Sequence, residues 1–192
     1  MPSPPYSGVR NGPYSTVRAI ATREDWTRAA LVAMAESGVA GVAVDRLTKA
    51  VGATRGSFYW HFKDRDELVQ AALLLWEREN TTELIPEGEA VRDPQARLRA
   101  LFARVYEPPA DPIEVALAKA ADDPLVAPVF ARVVASRIAF LRTLFLELGC
   151  EEEEADSRAW LAYGFYVGHH QLGPVPGRPA GLGRIVELLG GA

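Results

Sequence analysis

Arg55, Ser57, Tyr59, Trp60, His61 and Lys63 set a forked cation, a hydroxyl, two amphipathic aromatics, an imidazole and a flexible ammonium within nine residues. These types hydrogen-bond phosphates and base edges; they do not make a nucleophile–base pair. The Arg55 guanidinium can bond guanine O6 and N7 bidentately. Ser57 and the preceding Thr54 can reach bases or phosphates, and Tyr59, His61 and Lys63 are spaced for phosphate oxygens. Trp60 can stack on a sugar or a thymine methyl, or simply cover the surface beneath it. For His61 the bland alternative is a structural surface histidine.

Side chains of this kind need a rigid support, and the stretch Val44 to Phe62 provides one. Val44, Leu47 and Val51 fall at i, i+3 and i+7, on one helical face. Val51-Gly52-Ala53 makes a tight turn, and Thr54 stands where an N-cap belongs. In the following helix, Phe58 and Phe62 turn inward at i and i+4. A short helix, a tight turn and a polar-aromatic second helix together read as a helix-turn-helix, whose second helix lies in the DNA major groove. Upstream, Thr22 and Asp25 open a helix with the stripe Trp26, Ala29, Ala30, Ala33 and Met34, closed by Gly38. That helix buttresses the other two, giving a three-helix head.

The stretch Gly38 to Leu68 resembles the DNA-binding signature of the TetR family of transcriptional regulators, through Gly38, Leu47, Gly52, Gly56, Tyr59, His61, Phe62, Glu67 and Leu68. It departs from that pattern at Val42 and Ala43, where a hydroxyl pair is usual, at Thr48 in place of Ala, and at Arg65 in place of Lys. The resemblance adds Gly56 to the DNA-contacting set. It implies an all-α fold, a homodimer on palindromic operator half-sites, and a small-molecule effector enclosed by the carboxy-terminal helices.

Composition fits this reading. With 192 residues, 48% of them hydrophobic, the chain can bury a sizeable core. No apolar run approaches a membrane span, no apolar signal-peptide core is seen, and Cys150 is alone, so a cytoplasmic protein is expected. The net charge of -4 divides unevenly: residues 1–68 hold nine Lys or Arg against seven acids, and residues 69–192 hold twelve against eighteen. The basic excess lies with the motif.

About nine helices are expected and no strands. Residues 1–21, with four prolines, two glycines and no acid, read as a disordered arm, either a solvated tail or a carrier of Arg10 and Arg18 into a minor groove. The DNA-binding head spans 22–68, a helix capped by Asp64 links it onward to about 85, and "IPEGEAVRDP" breaks the chain at Pro86. A helical effector-binding and dimerisation domain follows over 86–192. Three Asp-Pro pairs, at Asp93, Asp111 and Asp123, signal helix starts, and Arg97 and Arg104 lie on the outer face of the helix after Pro94.

In that domain Phe102, Tyr106, Phe140, Trp160, Tyr163, Tyr166 and His169 suit an apolar pocket with a few polar handles, although aromatics at helical spacing also build plain core. Ala155, Ala159, Ala162, Gly164 and Gly168 give one helix a small-residue face. With Ile185, Leu188 and Leu189 of the last helix, that face resembles the family's four-helix dimer interface; a buried intrachain contact is the alternative. Glu151 to Glu154 suit a helix N-terminus, and with no histidine at ligand spacing neither a metal site nor a cofactor is expected. Two other functions compete with a ligand-released repressor: a helical ligand-binding dimer without operator binding, and an enzyme on a helical bundle. The enzyme would need a nucleophile, metal cluster or acid–base pair, which one Cys and the histidines His61, His169 and His170 hardly supply.

Overall fold

A computed structural model describes residues 21–106, 111–172 and 183–190, so the expected proline-rich arm, apart from Ala21, and residues 173–182 lie outside the described residues. The described residues form ten α-helices, a short 3-10 turn and one π turn, with no strand among them. The head holds α1 (Arg23–Ser37), α2 (Val44–Ala50) and α3 (Arg55–His61). Thr22 and Asp25 cap α1 reciprocally, and Gly38 ends it at φ 68°, its N–H on the Met34 carbonyl at 2.8 Å. Between α2 and α3 the turn residue Gly52 has φ 67°, a left-handed conformation costly for any side chain with a Cβ. The Thr54 hydroxyl accepts from the Ser57 N–H at 3.2 Å, starting α3 as expected.

Trp26, Met34, Leu47, Phe58, Phe62 and Leu68 are fully or almost fully buried beneath the three helices. Trp26 meets Phe58 edge-on at 5.5 Å, and Phe58 stacks on Phe62 at 5.7 Å, so α3 is pinned from its inner face. Val42 is buried in this core, and Ala43 at the start of α2 makes no side-chain cap. Arg65 bridges the same corner from the next helix: its Nε donates to the Val42 carbonyl at 2.7 Å and its Nη2 to that of Val39 at 2.6 Å.

α4 (Arg65–Glu77) leaves the head, capped by Asp64, and runs into the π turn Arg78–Thr82. The sequence expectation of a break at Pro86 is corrected here: α5 (Leu84–Glu89) runs through it. Pro86 sits in the first turn of α5, where its missing N–H has no intrahelical partner to lose. This helix raises the count above the nine expected. α6 (Pro94–Tyr106) and α7 (Pro112–Lys119) begin at Asp-Pro pairs, with Asp93 accepting from Ala96 N at 3.0 Å and Asp111 from Ile113 N at 2.9 Å. The third pair forms a turn instead, and α8 (Ala127–Glu147) starts later, with Pro128 in its first turn. α9 (Glu152–Leu172) and α10 (Gly183–Gly190) complete the described chain.

The core forms two clusters joined by α8. The first unites the head and α4 with Leu117 of α7 and with Val126, Val129 and Val133 around the start of α8. The second gathers α6, the later half of α8 and α9 around Leu98, Phe102, Leu144, Phe145 and Tyr163. α1 packs directly on α7, so the head rests on the body through α1 as well as through α4, a second connection absent from the sequence reading. Arg97 also departs from its expected place. It is 7% exposed and donates to the Val91 carbonyl and to Glu147, because a guanidinium can be buried when its donors are matched.

Candidate nucleic-acid interface and ligand cavity

The outer surface of α3 is built by what its inner face buries. With Phe58 and Phe62 fixed inside, Tyr59 and Trp60 point outward, 61% and 88% exposed. An indole so open to water has no packing role within the chain. Arg55 opens α3 and pairs in two-pronged fashion with Asp45 of α2: Nε meets Oδ1, and Nη2 lies 2.7 Å from Oδ2. The Lys63 side chain is almost fully exposed, with its Nζ 3.9 Å from Asp64. Gly56 is exposed too, and a Cβ there would touch only the Thr54 Oγ1, at 3.7 Å. Nothing among the described residues therefore demands glycine at this position.

Two residues of the set are engaged in structural contacts. The Thr54 hydroxyl oxygen caps α3 with one lone pair and keeps its proton and the other lone pair to offer outward. His61 places Nε2 2.9 Å from the Ala21 carbonyl, so the half-buried ring ties the end of α3 to the entry of α1. That contact matches the structural role held open for it and engages Nε2, so a phosphate could be met only through Nδ1. The carbonyl can only accept, so Nε2 carries a proton in this contact. The corner behind α3 is held by Glu67, which accepts from the Lys63 N–H at 2.8 Å and from Arg23 at 3.0 Å. Those bonds lower its pKa below the usual carboxylate value, the Lys63 N–H contributing most.

A cavity of about 730 Å³ lies between the π turn, α5, α6, α8 and α9. Five of the seven aromatic residues expected together do line it: Phe102, Tyr106, Phe140, Tyr163 and Tyr166. The other two are corrected. Trp160 points out to solvent, 62% exposed, and His169 sits beside the cavity with Nε2 3.2 Å from the Tyr106 carbonyl, while His170 lines the wall. A one-residue step on a helix turns a side chain by about 100°, which is the whole of that error.

The polar part of the wall centres on Arg137, which sequence reading missed. Its Nη1 meets Glu114 at 2.6 Å, its Nε donates to Thr81 Oγ1 at 3.1 Å, and its Nη2 donates to the Asn80 carbonyl at 3.1 Å. The Tyr166 hydroxyl donates to the other Glu114 oxygen at 2.8 Å. Burial alone lowers the Arg137 pKa, but the charge and hydrogen bond of Glu114 outweigh it and the net shift is upward. Burial and then Glu114 raise the Tyr166 phenol, so it stays protonated. The buried Tyr163 hydroxyl lies near Arg137 but makes no hydrogen bond of good geometry among the described residues. The polar cluster joins α7, α8 and α9 to the π turn that ends α4.

The small-residue face of α9 divides in two. Ala155, Ala159 and Ala162 are buried inside the chain, in the core cluster shared with α6 and α8, which is the intrachain alternative and a correction to their place in a dimer face. Gly164 and Gly168 face open space: a Cβ at either meets nothing within 4 Å. Trp160, Leu161 and Leu172 are exposed on the same helix, as is Leu188 on α10, while Ile185 and Leu189 are half-buried against α6 and α9. The result is an apolar helix face with glycines in it and no cover from the described residues.

Residues 26–72 match the profile of the bacterial regulatory proteins of the tetR family. Over 90 residues the chain is 36% identical to the HTH-type transcriptional regulator AcrR of Shigella flexneri, covering 45% of this chain and 40% of that one. Over 86 residues it is 36% identical to TtgR of Pseudomonas putida, covering 44% and 41%. The matched stretch thus spans about two fifths of these relatives. The fold extends further: a transcriptional regulator from Rhodococcus superposes with a TM-score of 0.66 at 23% identity, over 88% of this chain and 91% of that one. AibR, solved in complex with isovaleryl coenzyme A and operator DNA, superposes at 0.60 with 15% identity, over 88% and 93%. The amino-terminal head is thus similar to that of the tetR family of bacterial regulatory proteins, and the helical fold is shared with solved structures over most of the chain.

Proposed function

We propose that the protein is a cytoplasmic, homodimeric repressor that binds palindromic operator half-sites and is released by a small apolar or aromatic ligand. The observation that carries this reading is the outer face of α3. Arg55, Tyr59 and Trp60 are exposed there on a helix pinned from behind by Trp26, Phe58 and Phe62, and Lys63 is exposed just past its end. Gly56 belongs to the same face, because a DNA backbone close to the start of α3 would supply the steric reason for glycine that the described residues lack.

The cavity supports the second half of the reading. Its wall is largely apolar, and its polar cluster holds Asn80 and Thr81 at the end of the helix that leaves the head. A ligand that fits better when the π turn is displaced would shift α4, and through it the head. The shift can be no larger than the ligand's preference between the two arrangements: about a hundredfold change in operator binding requires about 2.7 kcal/mol of differential affinity. Gly164, Gly168, Trp160, Leu161 and Leu188 offer a second copy of the chain an uncovered apolar face.

A gel-shift at moderate salt with fragments of the host chromosome tests the proposal. A discrete subset of fragments should be retarded, and a matching small aromatic ligand should release them. Uniform retardation, or none, would leave a ligand-binding helical dimer as the better account.

A further inference from the structure

Asp45 puts a carboxylate beside the surface proposed to meet DNA, where phosphates would repel it. It lies in the first turn of α2, and both it and Arg55, the first residue of α3, have side chains 67% exposed. So exposed an ion pair adds little to folding. Its geometry is nevertheless specific. Both carboxylate oxygens are engaged, one by Nε and the other by Nη2 at 2.7 Å.

That grip uses one edge of the guanidinium and leaves another. Of five N–H donors, the Nε–H and one Nη2–H are taken, while both Nη1–H groups and the second Nη2–H remain. The free edge is itself a two-pronged donor with the spacing that guanine O6 and N7 accept. Because the carboxylate fixes the plane and reach of the side chain beforehand, less rotamer freedom remains to be lost when DNA binds. The pair is also electrically neutral. Arg55 therefore contributes directional hydrogen bonds while adding little of the sequence-independent attraction that a bare cation has for phosphate.

We infer that Asp45 is a positioning residue for base recognition: it holds Arg55 edge-on so that each head prefers guanine at one position of the half-site. This rests on the DNA-binding reading of the head.

The test uses a duplex that the wild-type chain enriches from a random-sequence library, the same duplex with the guanine read by Arg55 replaced, and a random duplex. Each is titrated by fluorescence anisotropy over a range of salt. Arg55→Ala identifies the base pair concerned. Asp45→Asn, a neutral near-isostere on the surface, should stay folded by circular dichroism. It should lower the preference for guanine about tenfold, strengthen binding to the random duplex, and steepen the salt dependence by up to ~0.9 per head. In an Arg55→Ala background, Asp45→Asn should leave base preference unchanged, since the effect acts through Arg55.

If Asp45→Asn keeps the full guanine preference, or tightens operator binding without losing it, Asp45 only masks Arg55 and the positioning role is overturned. If Arg55→Ala relaxes no position of the enriched site, the inference is overturned as well. If the wild-type chain enriches no sequence at all, the DNA-binding reading fails first and the role of Asp45 with it.

Discussion

Arg55 and Lys63 both face outward from the head, but the fold holds them differently, and their losses should differ in kind. Arg55 is gripped by Asp45, whereas Lys63 projects freely with Asp64 only at 3.9 Å. Arg55→Ala should cost about 1–3 kcal/mol of operator affinity and relax one base pair of each half-site. Equal weakening on operator and random DNA would show a phosphate contact instead. Lys63→Ala should weaken binding to all sequences alike and reduce the log K against log salt slope by about 0.9 per head; an unchanged slope counts against that role. At this scale most of the outer face was legible in the sequence, because Phe58 and Phe62 fix by periodicity which side faces away. His61 was not, since its partner is a backbone carbonyl forty residues earlier in the chain. Asp45 was missed for a related reason: an acid in the first turn of a helix already has a local explanation in the helix dipole.

At the element scale, the corners between helices depend on arginines whose acceptors lie far away in sequence. Arg65 bonds the carbonyls of Val39 and Val42, closing the corner where Ala43 leaves α2 without a side-chain cap. A lysine offers a single nitrogen and cannot span both. Arg65→Lys should therefore lower the thermal stability of the head by about 1–2 kcal/mol, read from calorimetry, and a Tm equal to that of wild type would contradict this. Arg137 plays the corresponding part in the body. Arg137→Met leaves Glu114 in the cavity wall without its cation and should destabilise the chain by about 2–4 kcal/mol, less than a fully buried pair because both side chains retain some exposure. The double variant Arg137→Met with Glu114→Gln should recover much of that loss in chemical denaturation. An additive second loss would show that the pair is not coupled. Helix starts with Asp-Pro, Thr or Asp caps were legible because capping is local. The run through Pro86, the late start of α8 and the burial of Arg97 were not, since each depends on what packs alongside.

For the whole molecule, we propose that the face of α9 left uncovered by the described residues pairs two copies of the chain, and that the pair sets what DNA can be read. Composition and spacing pointed to an all-helical protein, but the division of α9 into an inward alanine row and an outward glycine row needed the position of α8. A Cβ at Gly164 or Gly168 meets none of the described residues within 4 Å, so Gly164→Leu and Gly168→Leu should leave each chain folded while separating two copies. Sedimentation should show more monomer with unchanged helical circular dichroism, and operator binding should weaken; tight dimers with undiminished affinity would place the interface elsewhere. One head reads only a few base pairs, so specificity requires two heads at a fixed distance, with half-site centres commonly one helical turn of about 34 Å apart or a multiple of it. Enrichment of a random-sequence duplex library on the purified wild-type chain, at physiological salt and without ligand, tests this most directly. The account predicts an inverted repeat with two half-sites at one fixed spacing, each with a guanine whose preference disappears in Arg55→Ala. Retention of all sequences alike, or of none, would contradict it.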